Sequence, residues 1–203
     1  MKKVYKDSQI SYKILREQMN TTQKYIGFTN QLQNFKGTDE YYTPRHAVEI
    51  LLPYIPEHSK IWCPFDKEFS QYVQVFTAVG HEVVYSHIDN GQDFFRYEPD
   101  QEYDFIISNP PYSKKDAVIK RLYELGKPWA MFVNPNGIFN ARERFNFFSR
   151  FGVQLLIPRG RTQFMRYGTE LCTSPPFLTV YVCWRFLPET IMFEQDEKQI
   201  NLF

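Results

Sequence analysis

From residue 60 onward the chain alternates short apolar runs with longer polar stretches of helical spacing, and this alternation leaves few folds open to it. The runs lie at 60–65, 81–88, 103–108, 129–133, 153–157 and 178–186. Most are nearly continuous in apolar residues, which is how a strand buried on both faces reads. Stretches with helical character at 69–79, 113–126 and 141–150 separate them, and Gly126 closes the second. Strands joined by crossover helices build a parallel sheet covered on both sides. The expectation is an α/β fold with a doubly wound, mostly parallel, Rossmann-like sheet whose ligands bind beyond the carboxyl ends of the strands. The last two runs lack an intervening helix, so an antiparallel edge strand is expected.

The segments before residue 60 read differently. Ile10, Ile14, Leu15 and Met19 suggest a peripheral helix over 7–25, and the Gly- and Asn-containing stretch 26–40 an ordered loop. Thr43-Pro44 has the form of a helix start, Thr as cap and Pro in the first turn, with Pro53 and Pro56 marking the end. A chain of 203 residues supports one core of ordinary size. It divides into a basic helical and loop segment over 1–37, an α/β domain over 38–188 and an acidic, peripheral tail over 189–203. Cys63, Cys172 and Cys183, and the four histidines, show no ligand spacing, so buried thiols and no metal are expected. With no apolar stretch near the length of a bilayer span and no signal-like start, the expected location is the cytoplasm.

A net charge of +1 conceals strong segregation. Residues 1–36 carry seven Lys or Arg against two acids, residues 37–104 four against thirteen, and residues 112–166 eleven against three. The central acidic segment suits a cationic small molecule, while the basic flanks suit a polyanion or are simply solvated surface. Aromatic residues make up 18% of the chain, enough both to fill a core and to line a pocket for a flat ligand.

Asn109-Pro110-Pro111-Tyr112 directly follows the run Phe105-Ile106-Ile107-Ser108, and so falls where a buried strand delivers its end into the ligand crevice. Two consecutive prolines fix φ and remove two N–H donors, leaving a stiff segment that can only accept hydrogen bonds. The exocyclic amine of a purine is a poor nucleophile until acceptors hold its two hydrogens and draw the nitrogen toward tetrahedral geometry. The Asn109 side-chain oxygen and the Pro110 carbonyl are candidates for those acceptors, and Tyr112 offers a face for stacking. No strong base is needed, and none stands next to the motif.

The run Asp104-Phe-Ile-Ile-Ser-Asn-Pro-Pro-Tyr112 resembles the catalytic motif of class I N6-adenine DNA methyltransferases. Asp39-Glu-Tyr-Tyr-Thr-Pro44 resembles the segment preceding their cofactor strand, and the similarity to small adenine methyltransferases of phages and prophages of Gram-positive bacteria extends through Ser174-Pro-Pro-Phe177 and Cys183-Trp184. The resemblance implies a seven-stranded methyltransferase sheet, S-adenosylmethionine as cofactor, and double-stranded DNA as partner, with the target base flipped out. It implies that Tyr42, Thr43 and Pro44 touch the methionine part of the cofactor. Pro64, Phe65 and Asp66 form its loop, Asp89 meets the ribose, Asp93 and Phe94 hold its adenine, and Asn109 borders it. Asn109, Pro110, Pro111 and Tyr112 match the clamp on the target base. Lys114, Lys115, Arg159, Arg161 and Arg166 are candidates for nucleic-acid contact.

One departure bears on the cofactor. The family's loop after the first strand carries an acid, a proline and two glycines, whereas Trp62-Cys-Pro-Phe-Asp-Lys-Glu-Phe69 has no glycine and places Cys63 where the acid would stand. A Cβ there crowds a ligand unless the loop takes another path. RNA and the glutamine amide of a protein remain alternative acceptors. A nucleic-acid-binding protein that has lost the cofactor is a third reading.

Overall fold

The computed structural model describes residues 41–166 and 178–195. The helix expected over 7–25, the loop 26–40, Ser174-Pro-Pro-Phe177, Cys172 and the last residues of the tail lie outside them. Within the described residues, strands β2 (Lys60–Cys63), β3 (Glu82–Tyr85), β4 (Phe105–Ser108), β5 (Trp129–Val133), β6 (Gln154–Ile157), β8 (Val180–Trp184) and β9 (Ile191–Phe193) form one seven-stranded sheet. Its order is β3-β2-β4-β5-β8-β6-β9. Two-residue strands β1 (Tyr41–Tyr42) and β7 (Met165–Arg166) pair separately and antiparallel. The helices are α1 (Arg45–Glu49), α2 (Gln71–Ala78), α3 (Lys115–Leu125) and α4 (Arg142–Phe151).

The sheet is the mostly parallel, doubly wound α/β arrangement that the sequence suggests. All neighbours pair parallel except that β8 runs antiparallel to both β5 and β6. That strand lies third from the β9 edge rather than outermost, because β6 and β9 pair beyond it. Residues 191–193, expected in a peripheral tail, instead extend the sheet. Their run is too short to announce itself, and Ile191 and Phe193 are exposed, so no buried pattern marks them.

Period-two alternation along the strands splits the interior into two cores. Ile61, Cys63, Ile107, Ala130, Phe132, Tyr181 and Cys183 face α1 and α2, which contribute Ala47, Val48, Tyr72, Val75 and Phe76. Trp62, Ile106, Trp129, Met131, Val133, Val180 and Val182 face the other way, toward Val118, Ile119, Leu122 and Tyr123 of α3 and Phe148 of α4. A sheet buried on both faces explains why its strands read as nearly continuous apolar runs. Cys63 and Cys183 are wholly buried free thiols whose pKa burial pushes well up, so they are filling rather than chemistry. Among the described residues no cluster of His, Cys, Asp or Glu could hold a metal ion, and no helix is long and apolar enough to cross a membrane.

The sequence-based helix start at Thr43 is displaced. Pro44 occupies the cap position of α1, and the Thr43 side chain makes no cap bond. Its hydroxyl accepts instead from the Asn109 side chain.

Arg144 of α4 is a buried charge that organises the loop between β5 and α4. Its guanidinium donates to the carbonyls of Ile138 at 2.8 Å and Gly137 at 2.6 Å, and to Asp116 Oδ1 of α3 at 2.5 Å. Truncation leaves two carbonyls without their donor, which costs about 1–3 kcal/mol for each group that stays dry. We expect Arg144→Ala to lower the urea-unfolding free energy by about 2–4 kcal/mol. Asp116→Ala, whose side chain is 47% exposed, should cost under about 1 kcal/mol.

Candidate active site

From β2 the chain passes to β3 on one side of it, then returns to β4 on the other, so the strand order reverses between β2 and β4. In open α/β sheets a crevice forms beyond the carboxyl ends at such a point. Here a cleft of about 450 Å³ occupies that place, within the size range of small-molecule sites. Its walls come from the segment after β2, the start of α2, the segment after β3 and the segment after β4.

Asp66 lines the crevice. It is 7% exposed, yet its two carboxyl oxygens accept hydrogen bonds from Ser70 Oγ and Ser108 Oγ, both at 2.5 Å. Ser108 ends β4, while Ser70 caps α2 by accepting from the Tyr72 amide at 3.2 Å. One side chain therefore ties the loop after β2 to the next strand and the next helix. The loop backbone follows the β3 side, with Ser86 N donating to the Cys63 carbonyl and Asp66 N to the Ser86 carbonyl. Phe65 packs against Phe94 with ring centroids 4.8 Å apart. The glycine-free loop thus borders the cleft with its own side chains, Asp66 held by the two serines and Phe65 held against Phe94.

Burial pushes the Asp66 carboxyl up to about 6, against the opposing pull of the Ser108 and Ser70 hydrogen bonds. A carboxyl whose folded pKa exceeds its unfolded one binds a proton on folding. Its contribution to stability is greatest below the unfolded pKa and is lost as pH rises through about 6. From the ordinary aspartate value of 3.8 the loss amounts to about 3 kcal/mol. Between pH 4 and 7, therefore, urea unfolding should show wild type losing about that much stability relative to Asp66→Asn; parallel pH profiles would refute this assignment.

The motif after β4 borders the same cleft through Asn109, Pro110 and Pro111. Asn109 Nδ2 donates to Thr43 Oγ1 at 3.2 Å, which is where the supposed capping hydroxyl is spent. Asn109 Oδ1 is buried and has no hydrogen-bond partner. Such an acceptor is costly unless a donor arrives, and a site that receives an N–H group is one place where it would be kept.

The sequence-based candidates separate into groups. Tyr42, Thr43, Pro64, Phe65, Asp66, Asp89, Asp93, Phe94 and Asn109 all line the cleft. Pro44 is buried beside it at the start of α1 and does not line it. Tyr112 opens a single 3₁₀ turn, Tyr112–Lys114, and its side chain lies outside the described ones. Phe94 is only 2% exposed, with Trp62, Phe65 and Phe95 against it and the Arg121 guanidinium 5.5 Å from its ring centre, so little of its face is left for a ligand. Asp89 is on the rim, paired with Lys67 at 2.7 Å, and that hydrogen bond lowers its pKa. Asp93 Oδ1 accepts from the Phe95 amide at 3.1 Å.

Of the basic candidates, Lys114 lines the cleft with its ammonium 5.2 Å from the Phe95 ring centre. Lys115 turns toward the Asn134 carbonyl at 3.4 Å. Arg159 and Arg161 are exposed on the loop after β6, and Arg166 is paired through β7 with Tyr41, next to cleft residue Tyr42. Sequence reasoning missed Ser70, Tyr72, Phe95 and Ser108. Ser70 had a signal, as a Ser directly before a helical stretch is a cap candidate; Tyr72 and Ser108 read only as core.

No protein-family model and no curated protein matches the chain. Among solved structures it is similar to a TehB-like SAM-dependent methyltransferase from Corynebacterium glutamicum, with a TM-score of 0.36 and 11% sequence identity, over 78% of this chain and 97% of that chain.

Proposed function

We propose that this protein is an S-adenosylmethionine-dependent methyltransferase acting on the N6 amine of adenine in DNA, with the target base flipped into the cleft. The observation that carries the reading is Asn109. It belongs to an Asn-Pro-Pro-Tyr segment at the carboxyl end of β4, borders a ligand-sized crevice at the switch point, and holds a buried side-chain oxygen without a donor. When bound, S-adenosylmethionine supplies an electrophilic methyl group on a sulfonium.

The residues present suit such a group. Asp66, Asp89 and Asp93 line the cleft with Lys67 and Lys114, an acidic excess that favours a cationic ligand. Asp66 keeps lone pairs beyond the two it gives to serines and is the carboxylate to receive an ammonium. Asn109 Oδ1 and the Pro110 carbonyl accept the two amine hydrogens and hold the nitrogen in line, so orientation supplies most of the rate. The proton leaves to solvent once the nitrogen has become cationic. Lys114 at the cleft and Arg159 and Arg161 on their exposed loop supply phosphate contacts, which favours a nucleic acid over a protein amide.

Labelled cofactor offered with unmethylated DNA, transfer RNA or protein sorts the acceptors, and label absent from DNA would defeat adenine-N6 transfer to DNA. An absence of heat with S-adenosylmethionine in calorimetry would favour instead the binding protein suggested by the glycine-free loop. Asn109→Ala should lower turnover at least about 100-fold. Because a cation prefers ionised Asp66, cofactor affinity should fall about tenfold between pH 7.5 and pH 5 in wild type and stay level in Asp66→Asn. Calorimetric titration at the two pH values measures it.

A further inference from the structure

We propose that Phe139, presented by the loop between β5 and α4, is a base-stacking contact to double-stranded DNA that fills the gap a flipped base leaves in the duplex. The inference deepens the DNA reading above and rests on it for the identity of the partner. β4 and β5 are neighbouring parallel strands, with Ser108 of one beside Met131 of the other, so the segments that follow them leave side by side from the same end of the sheet. One is Asn-Pro-Pro-Tyr; the other is the loop 134–141. Two contacts fasten that loop to the helix into which the motif leads. Lys115, at the start of α3, reaches the Asn134 carbonyl at 3.4 Å. Arg144 joins Asp116 of α3 to the carbonyls of Gly137 and Ile138.

Within the loop the backbone is tightly turned, Ile138 N donating to the Pro135 carbonyl at 3.0 Å and Asn140 N to the Gly137 carbonyl at 3.1 Å. Ile138 is fully buried, and the next side chain, Phe139, is 47% exposed. A single half-exposed phenylalanine is ordinary on a protein surface. This one is distinguished by what holds it. A guanidinium that is costly to bury directs two of its hydrogen bonds to the two carbonyls just before it. The buried Phe148 ring meets the Phe139 ring at 5.7 Å and 64°, a contact that supports it and leaves ring surface in water. A ring so held loses little freedom on stacking. A base that swings out of a duplex into the cleft leaves its neighbours unstacked, and a flat apolar ring recovers part of that loss. Arg142, exposed directly after the loop, and Lys114, exposed at the cleft, suit the flanking phosphates; Glu143 is the exposed acid beside Arg142.

The test measures binding of the full chain to fluorescein-labelled DNA duplexes of one mixed sequence, either intact or carrying a single abasic site that offers the gap ready made. Wild type should bind the abasic duplex about tenfold more tightly than the intact one. Phe139→Leu, which keeps an apolar contact with Phe148 but has no stacking face, should lose that preference, as should Phe139→Ala. Phe139→Trp should retain it, and its added indole fluorescence should be quenched by the abasic duplex. In all three variants the Kd for S-adenosylmethionine should change less than about twofold, which a general disturbance of the fold would not allow. An unchanged preference in Phe139→Leu, or Phe139→Trp fluorescence that the abasic duplex leaves unaltered, would overturn the inference. A wild type without any preference for the abasic duplex overturns it too, even where DNA is methylated. If wild type methylates no DNA, the proposed function falls, and the preference for the abasic duplex still decides the role of Phe139.

Discussion

Parallel strands that part at a switch point leave an unfilled crevice between their carboxyl ends, and here Asp66 spans it, accepting from Ser108 at the end of β4 and from Ser70 at the start of α2. Two of the cleft's walls are referenced to those elements. The Asn-Pro-Pro-Tyr segment leaves directly from Ser108, and Tyr72 stands two residues beyond Ser70. A buried carboxylate is an expensive tie, since burial disfavours its charge and raises its pKa to about 6. Two hydroxyl donors offset part of that cost, and a cationic ligand would offset more.

The same carboxylate explains how a loop without glycine borders an open cleft. A glycine-rich loop lets a ligand approach bare backbone. In this loop Asp66 is fixed by its serines, Phe65 is packed against Phe94, and the backbone is held to the β3 side by Ser86. Trp62 reinforces that last contact, its indole N–H donating to Ser86 Oγ at 3.0 Å. The solution trades access to backbone amides for a carboxylate within the pocket wall.

What could be read in the amino acids divides along physical lines. Strands buried on both faces betray themselves by composition, and β5 was legible residue for residue at Trp129–Val133. β9 was not, because a three-residue edge strand with Ile191 and Phe193 exposed has no pattern distinct from a tail. The motif after β4 was legible because its prolines constrain the backbone locally. Thr43 was misread as a cap because Thr-Pro has the same local form whether the hydroxyl serves the helix or, as here, a side chain 66 residues away. Tyr72 and Tyr181, 109 residues apart, could not be joined by any local rule.

Charge needs the same separation of local from tertiary. The run 112–166 counts eleven basic residues, but Arg144 is consumed by two carbonyls and Asp116, Arg121 donates to the Tyr97 carbonyl beside the Phe94 ring, and Lys115 reaches toward Asn134. Burial lowers the pKa of Lys115, as expected of an ammonium drawn inward. The positive surface is therefore smaller than the count suggests, and its exposed side chains include Lys114, Arg159 and Arg161. Lys114 is at the cleft itself, while Arg159 and Arg161 precede a strand that pairs with the segment carrying Tyr42. Charges set around an opening steer a polyanion toward it without specifying sequence. At the cleft Asn109 Oδ1 is a buried acceptor without a donor, so an N–H group suits it and a carbonyl does not.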